Sequence, residues 1–129
     1  PLPEGATALV YSRGSVPATT LGMLQKGMTS VTAASKTTYT AVAGDQIVVD
    51  TVANPVTITL PSSPAVGDEV TIMDGSASNG FATNNCIIDR NSQPIEGSAA
   101  NDTLATNNQC VTLIYANATK GWLYKSTNQ

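Results

Sequence analysis

From Thr37 onward the chain is a string of short segments rich in Val, Ile and Thr, cut at near-regular intervals by Gly, Pro, Asn and Asp. This punctuated pattern constrains the fold more than any other feature, because β-branched side chains are stiff and pack well on pleated surfaces. VTITL carries the signal most cleanly. Val56, Ile58 and Leu60 fall on one side and Thr57 and Thr59 on the other, the period of two expected of a half-buried strand. TTYTAV, QIVVDTV, EVTIMD, CIIDR, NDTLAT, QCVTLIYA and GWLYKS read as further strands. NSQPIEG reads as a turn with a short edge strand, since Pro94 has no N–H for a central ladder. In GWLYKS the alternation places Trp122 and Tyr124 on one face and Leu123 on the other. Neither a helix of ordinary length nor an internal repeat of solenoid length is visible. The expectation is an all-β domain of short antiparallel strands, sandwich or barrel-like.

Residues 1–35 have a different texture. Pro1, Pro3 and Pro17 alternate with Gly5, Gly14, Gly22 and Gly27, which interrupts helix and strand alike. TALVY offers one short strand, and the helical spacing of Leu21, Leu24 and Met28 is undercut by the two nearby glycines. This segment reads as an extended N-terminal arm preceding a β domain at 36–129. Its apolar residues Leu21, Met23, Leu24 and Met28 are the expected anchors against a partner, since a free tail has no need of them.

The composition bears on partners. Of 129 residues, 41% are hydrophobic but only 5% aromatic, and large rings usually dominate core energetics. A core thin in bulky groups predicts that copies of the same chain complete the interior. Charged residues are 12% of the chain and the net charge is −3, so there is no basic stripe to neutralise phosphates and nucleic-acid binding is not expected. No run approaches the roughly 20 apolar residues of a membrane helix. The N-terminus has neither the basic nor the apolar region of a secretory signal, so synthesis in the cytoplasm is expected. The two cysteines, Cys86 and Cys110, then read as free thiols and small buried apolar residues.

Catalytic chemistry finds little support. The chain has no His, which removes the commonest general base and metal ligand. GSASNG lacks the features of a nucleophile elbow or a phosphate loop and reads as a plain loop. Asp45, Asp68 and Asp74 stand beside glycines, where turn roles suffice. Asp89 and Arg90 read as solvated charges rather than an ion pair. The sequons at Asn101 and Asn117 read as chance without a secretory route. No enzyme activity, cofactor or metal is expected. Tyr115, Trp122 and Tyr124 offer a sugar-stacking platform, against which stands the simpler role of filling the core or a subunit contact. Val56, Ile58, Leu60, Trp122 and Tyr124 are the residues assigned to that core or contact.

The run NPVTITLPSSPAVGDEVTIMDGSASNGFATNNCIIDRNSQPIEG, followed by TNNQCVTLIYANATKGWLY, resembles a β module of tailed-phage virion proteins found in fibres, necks, baseplates and capsid decorations. The shared elements are a strand ending in TLP, a Pro-x-x-Gly-Asp turn, an Asn-Asn strand ending in Arg-Asn, an Ile-x-Gly turn, VTLIY and a final Gly-Trp. All occur here in that order, and the arm lies outside the match. The resemblance implies a homotrimer, assembled in the host cytoplasm into the virion, that docks on capsid, neck or tail through its N-terminal arm. The alternative it leaves open is a fibre tip that binds a host surface glycan.

Overall fold

A computed structural model describes residues 27–128, with side chains through Lys125. It contains nine strands: β1 (Met28–Thr32), β2 (Thr38–Thr40), β3 (Gln46–Asp50), β4 (Val56–Thr59), β5 (Glu69–Asp74), β6 (Cys86–Asp89), β7 (Asp102–Leu104), β8 (Cys110–Asn117) and β9 (Gly121–Asn128). No helix occurs among the described residues. The all-β class and most of the expected strands are therefore present.

The strand directions differ from expectation. The strands form two mixed sheets, one in the order β1-β3-β5-β8-β9 and the other β2-β4-β6-β7. Through β6 the chain alternates between sheets, and every pairing in this part is parallel: β1 with β3, β3 with β5, β2 with β4 and β4 with β6. Only the last strands turn back, β7 along β6, β8 along β5 and β9 along β8, all antiparallel. The first six strands are thus three successive coils of a two-sheet winding, closed by an antiparallel end. Parallel neighbours need a crossover, and here the crossover is the strand of the opposite sheet. Connections of five residues, such as 33–37, 41–45 and 51–55, cross from one sheet to the other instead of folding back as hairpins.

The coil offsets are unequal, which explains why no repeat showed in the sequence. Met28 pairs with Gln46, 18 residues on, but Gln46 pairs with Thr71, 25 residues on. In the other sheet Thr38 pairs with Thr57 and Val56 with Cys86, offsets of 19 and 30.

The core lies between the sheets. Ile47, Val49, Val70, Ile72, Val111 and Leu113 face Val56, Ile58, Leu60, Cys86, Ile88 and Leu104, all buried. Phe81 enters from the loop after β5, and Trp122 packs edge-on to Tyr115 with centroids 5.6 Å apart at 67°. Each fully buried Ile or Val contributes roughly 1.5–3 kcal/mol. This overturns the reason given for needing sister copies: the interior is closed within one chain. Two sheets packed about 10 Å apart leave a thin gap that Val and Ile rows fill without many rings.

Two boundaries also shift. β1 lies inside the segment read as arm, and Val31 and Ala33 are buried, so residues 28–33 belong to the sheets. The edge element at Pro94 is a single bridge residue, Ile95, paired antiparallel to Ser98 and parallel to Trp122.

Candidate interaction surfaces

The outer faces of the two sheets differ in chemistry. On the β2-β4-β6-β7 sheet the outward rows are Thr38–Thr57–Ile87–Thr103 and Thr40–Thr59–Asp89. This is a hydroxyl surface with one large apolar side chain. The outer face of the other sheet carries Val48, Met73 and Cys110 in one row and Ile114 beside Leu123 in another. All five are half-buried. Between these rows Thr71 and Thr112 share a hydroxyl hydrogen bond of 2.9 Å, and Lys125 Nζ pairs with Glu69 at 2.9 Å on the rim. Two apolar rows separated by a threonine pair and edged by an ion pair make this the more apolar of the two outer faces. None of the five was assigned to a contact from the sequence. The available signal was the near-continuous apolar run CVTLIYA, which shows that β8 is apolar on both faces.

The residues assigned from the sequence distribute differently. Val56, Ile58, Leu60 and Trp122 are wholly core. Tyr124 is half-buried, with its ring packed on the core, and its hydroxyl donates to Asp102 Oδ2. Burial, then the Asp102 carboxylate, push the Tyr124 pKa up, so the phenol stays neutral. Met28 is exposed at the start of β1, while Leu21, Met23 and Leu24 lie outside the described residues.

The sugar-stacking platform does not form as drawn from the sequence. Trp122 is 0% and Tyr115 7% exposed, so neither ring presents a face. Only Tyr124 reaches the surface, between two clefts of about 270 and 230 Å³ that both include Asp102.

The acids act in turns. Asp45 accepts from Val42 N–H and the Tyr39 hydroxyl, Asp68 from Ala65 N–H, and Asp89 from Asn91 N–H. Arg90 Nη1 donates to the Gln93 carbonyl at 3.4 Å. The two sequon asparagines do the same: Asn101 accepts from Arg90 N–H, and Asn117 from Thr119 and Lys120 N–H. Cys86 is a buried free thiol whose pKa is pushed up to about 12, first by burial and then by the Asp74 charge. Cys110 is also free and lies on the outer apolar row.

The ends of the winding differ as well. At the far end the strip 94–97 covers the rim of β9: Trp122 N–H donates to Pro94 O, Glu96 N–H to Trp122 O and Gly97 N–H to Lys120 O. At the near end β1 and β2 are edge strands with no described strand beyond them. Compared with known proteins, the chain matches no protein-family model and no curated protein.

Proposed function

We propose that the chain is a structural subunit of a tailed-phage particle, a β appendage that associates with copies of itself and attaches through its N-terminal segment. The observation that carries this reading is the contrast between the sheet faces. The face built from Val48, Met73, Cys110, Ile114 and Leu123 is suited to a copy, and the threonine face to solvent. The virion setting and the three-fold symmetry rest on the resemblance of the ordered motif set alone. Pro64–Asp68 makes the turn into β5, and Gly121–Trp122 opens β9 under the strip at Pro94. The particle partner is a capsid, neck or tail protein. In this reading the attaching segment is the chain that precedes β1, whose first residue is Met28.

Two measurements test this. Light scattering of the purified protein should give a mass near three chains, and Met73→Lys with Ile114→Lys should reduce it to one chain while the circular dichroism of the fold persists. A wild-type mass of one chain at all accessible concentrations removes the assembly reading. Mass spectrometry of purified particles should find the chain, and removal of residues 1–18, which leaves β1 intact, should abolish its incorporation. The fibre-tip alternative rests on Tyr124 and Asp102 alone. Glycan binding that disappears in Tyr124→Ala, with the fold retained, would favour it.

A further inference from the structure

β7 and β9 are the last strands of their sheets, and one hydrogen bond joins them: the Tyr124 hydroxyl donates to Asp102 Oδ2. Beside this bond lies the larger of the two clefts around Tyr124, about 270 Å³, lined by both residues and by the connection from β7 to β8. Leu104 and Val111, both buried, give it an apolar wall. Gln109 lines the same cleft at 4% exposure, one of three buried polar residues described. Its Oε1 accepts Thr106 N–H at 3.2 Å, which fixes the amide orientation, since only the oxygen can accept. The Nε2 group is left with two N–H donors and no acceptor among the described residues. Among those residues the one fully enclosed side-chain nitrogen or oxygen without a partner is Trp122 Nε1, so Gln109 Nε2 is reached from the cleft.

Asp102 supplies the opposite polarity. Its carboxylate accepts from Thr103 N–H and from the Tyr124 hydroxyl, two of about four acceptor positions that such a group offers. Joining the sheets accounts for the Tyr124–Asp102 bond, and holding the turn accounts for Gln109 Oε1. Neither accounts for a buried amide donor turned toward a cleft with an apolar wall, where a polar group is costly unless something pairs with it. A carboxylate alone would equally suit a cation; the donor amide beside it does not. A ligand that answers both carries adjacent hydroxyls, each able to donate and to accept, on a compact frame with an apolar side. A pyranose ring has this form: a vicinal diol on its edge and aliphatic C–H groups on its face. The cleft is of a size for a ligand smaller than a drug.

We propose that the cleft between β7, the 105–109 connection and β9 binds one neutral pyranose unit, with Asp102 accepting from a vicinal pair of hydroxyls and Gln109 donating to it. The second cleft, on the other side of Tyr124 and lined by Ser98 and Asn101, is placed to take the next unit of a chain. The inference deepens the fibre-tip alternative, on which it rests for the source of the sugar, and adds Gln109 to Tyr124 and Asp102. It does not rest on self-association or particle attachment.

Titration of the isotope-labelled full-length chain, followed by heteronuclear NMR, tests it. The probes are methyl α-glucoside, methyl α-mannoside and methyl α-galactoside, which between them present trans and cis vicinal hydroxyls. At least one should shift the Gln109 side-chain amide and the backbone of 102–106, saturating in the millimolar range. Asp102→Asn and Gln109→Glu each keep an oxygen for the internal hydrogen bonds and should each weaken that binding at least about tenfold. Thr57→Ala, on the threonine face, should leave it unchanged. No saturating shift at Gln109 with any of the three up to about 100 mM overturns the proposal and leaves an amide paired with solvent. A shift with methylammonium chloride in place of the glycosides overturns it too, as does wild-type affinity in both variants. Should Gln109→Glu not fold, the wild-type amide shift and Asp102→Asn decide. A linked disaccharide of the same sugar should also shift Ser98 and Asn101 where the source is a glycan chain; shifts confined to the first cleft assign a free sugar, and either result keeps the site. Sugar binding without binding to whole host cells keeps the site and removes the fibre tip, so the two failures are separable.

Discussion

Asp74 ends β5 and ties two loops to it. Its carboxylate accepts from Ser76 N–H at 3.0 Å, Phe81 N–H at 3.1 Å and Asn108 N–H at 3.0 Å. Burial alone would raise its pKa, but these donors outweigh it and hold the group below the usual carboxylate value. The folded pKa is depressed relative to the unfolded one. Its stabilising contribution is therefore complete above the unfolded value of about 3.9 and is lost as pH falls through the folded value. Asp74→Asn should lower stability at pH 7 by roughly 1–3 kcal/mol and flatten the acid limb below about pH 4, as read by urea titrations across pH. Gly80 belongs to the same knot, since a Cβ there would meet Asp74 Oδ2 at 2.5 Å. Gly121 is constrained more tightly: its φ is +70° and a Cβ would collide with the Pro94 carbonyl that accepts Trp122 N–H. Gly121→Ala should cost about 2–4 kcal/mol in denaturant unfolding, from both the left-handed backbone and the collision. The turn role of Asp74 was legible in its glycine neighbour. Its donors at Phe81 and Asn108 were not, because they are separated from it in sequence and joined only by the fold.

At the scale of elements, strand existence was readable and strand pairing was not. VTITL and EVTIMD alternate because one face is buried, QCVTLIYA is a near-continuous apolar run, and each appears where the pattern placed it. Alternation has the same period in parallel and antiparallel sheets, so it carries no information on direction. The five-residue arcs 41–45 and 51–55 contain the same Gly, Asn and Pro that close hairpins, and only the distance each one crosses distinguishes the two uses. MTSVT was missed as a strand because it offers one strong inward residue, Val31, between small polar neighbours and after Gly27. Its strand state comes from pairing with β3, a tertiary cause. β4 lies at the centre of its half of the core, between β2 and β6. Ile58→Ala should therefore cost about 2–5 kcal/mol, with a lowered denaturation midpoint and an unchanged m-value.

At the scale of the molecule, composition misled because it counted rings rather than geometry. A winding of two close sheets encloses Val and Ile in rows, and three large rings, Phe81, Tyr115 and Trp122, complete the interior. Folding then needs no second copy, and the proposed association through the outer face would add to stability only by mass action. If association binds the folded chain and not the unfolded one, the melting temperature of the wild-type protein should rise with protein concentration. In the Met73→Lys, Ile114→Lys variant it should be independent of concentration while the transition stays sharp, because the core between the sheets is untouched. Were the interior instead completed by sister copies, the same variant would lose its cooperative transition together with its oligomeric mass. Scanning calorimetry over a hundredfold range of concentration, run on both proteins, separates these cases. A sharp, concentration-independent transition in the variant beside a concentration-dependent one in the wild type places the outer apolar rows at the contact and leaves folding to the single chain.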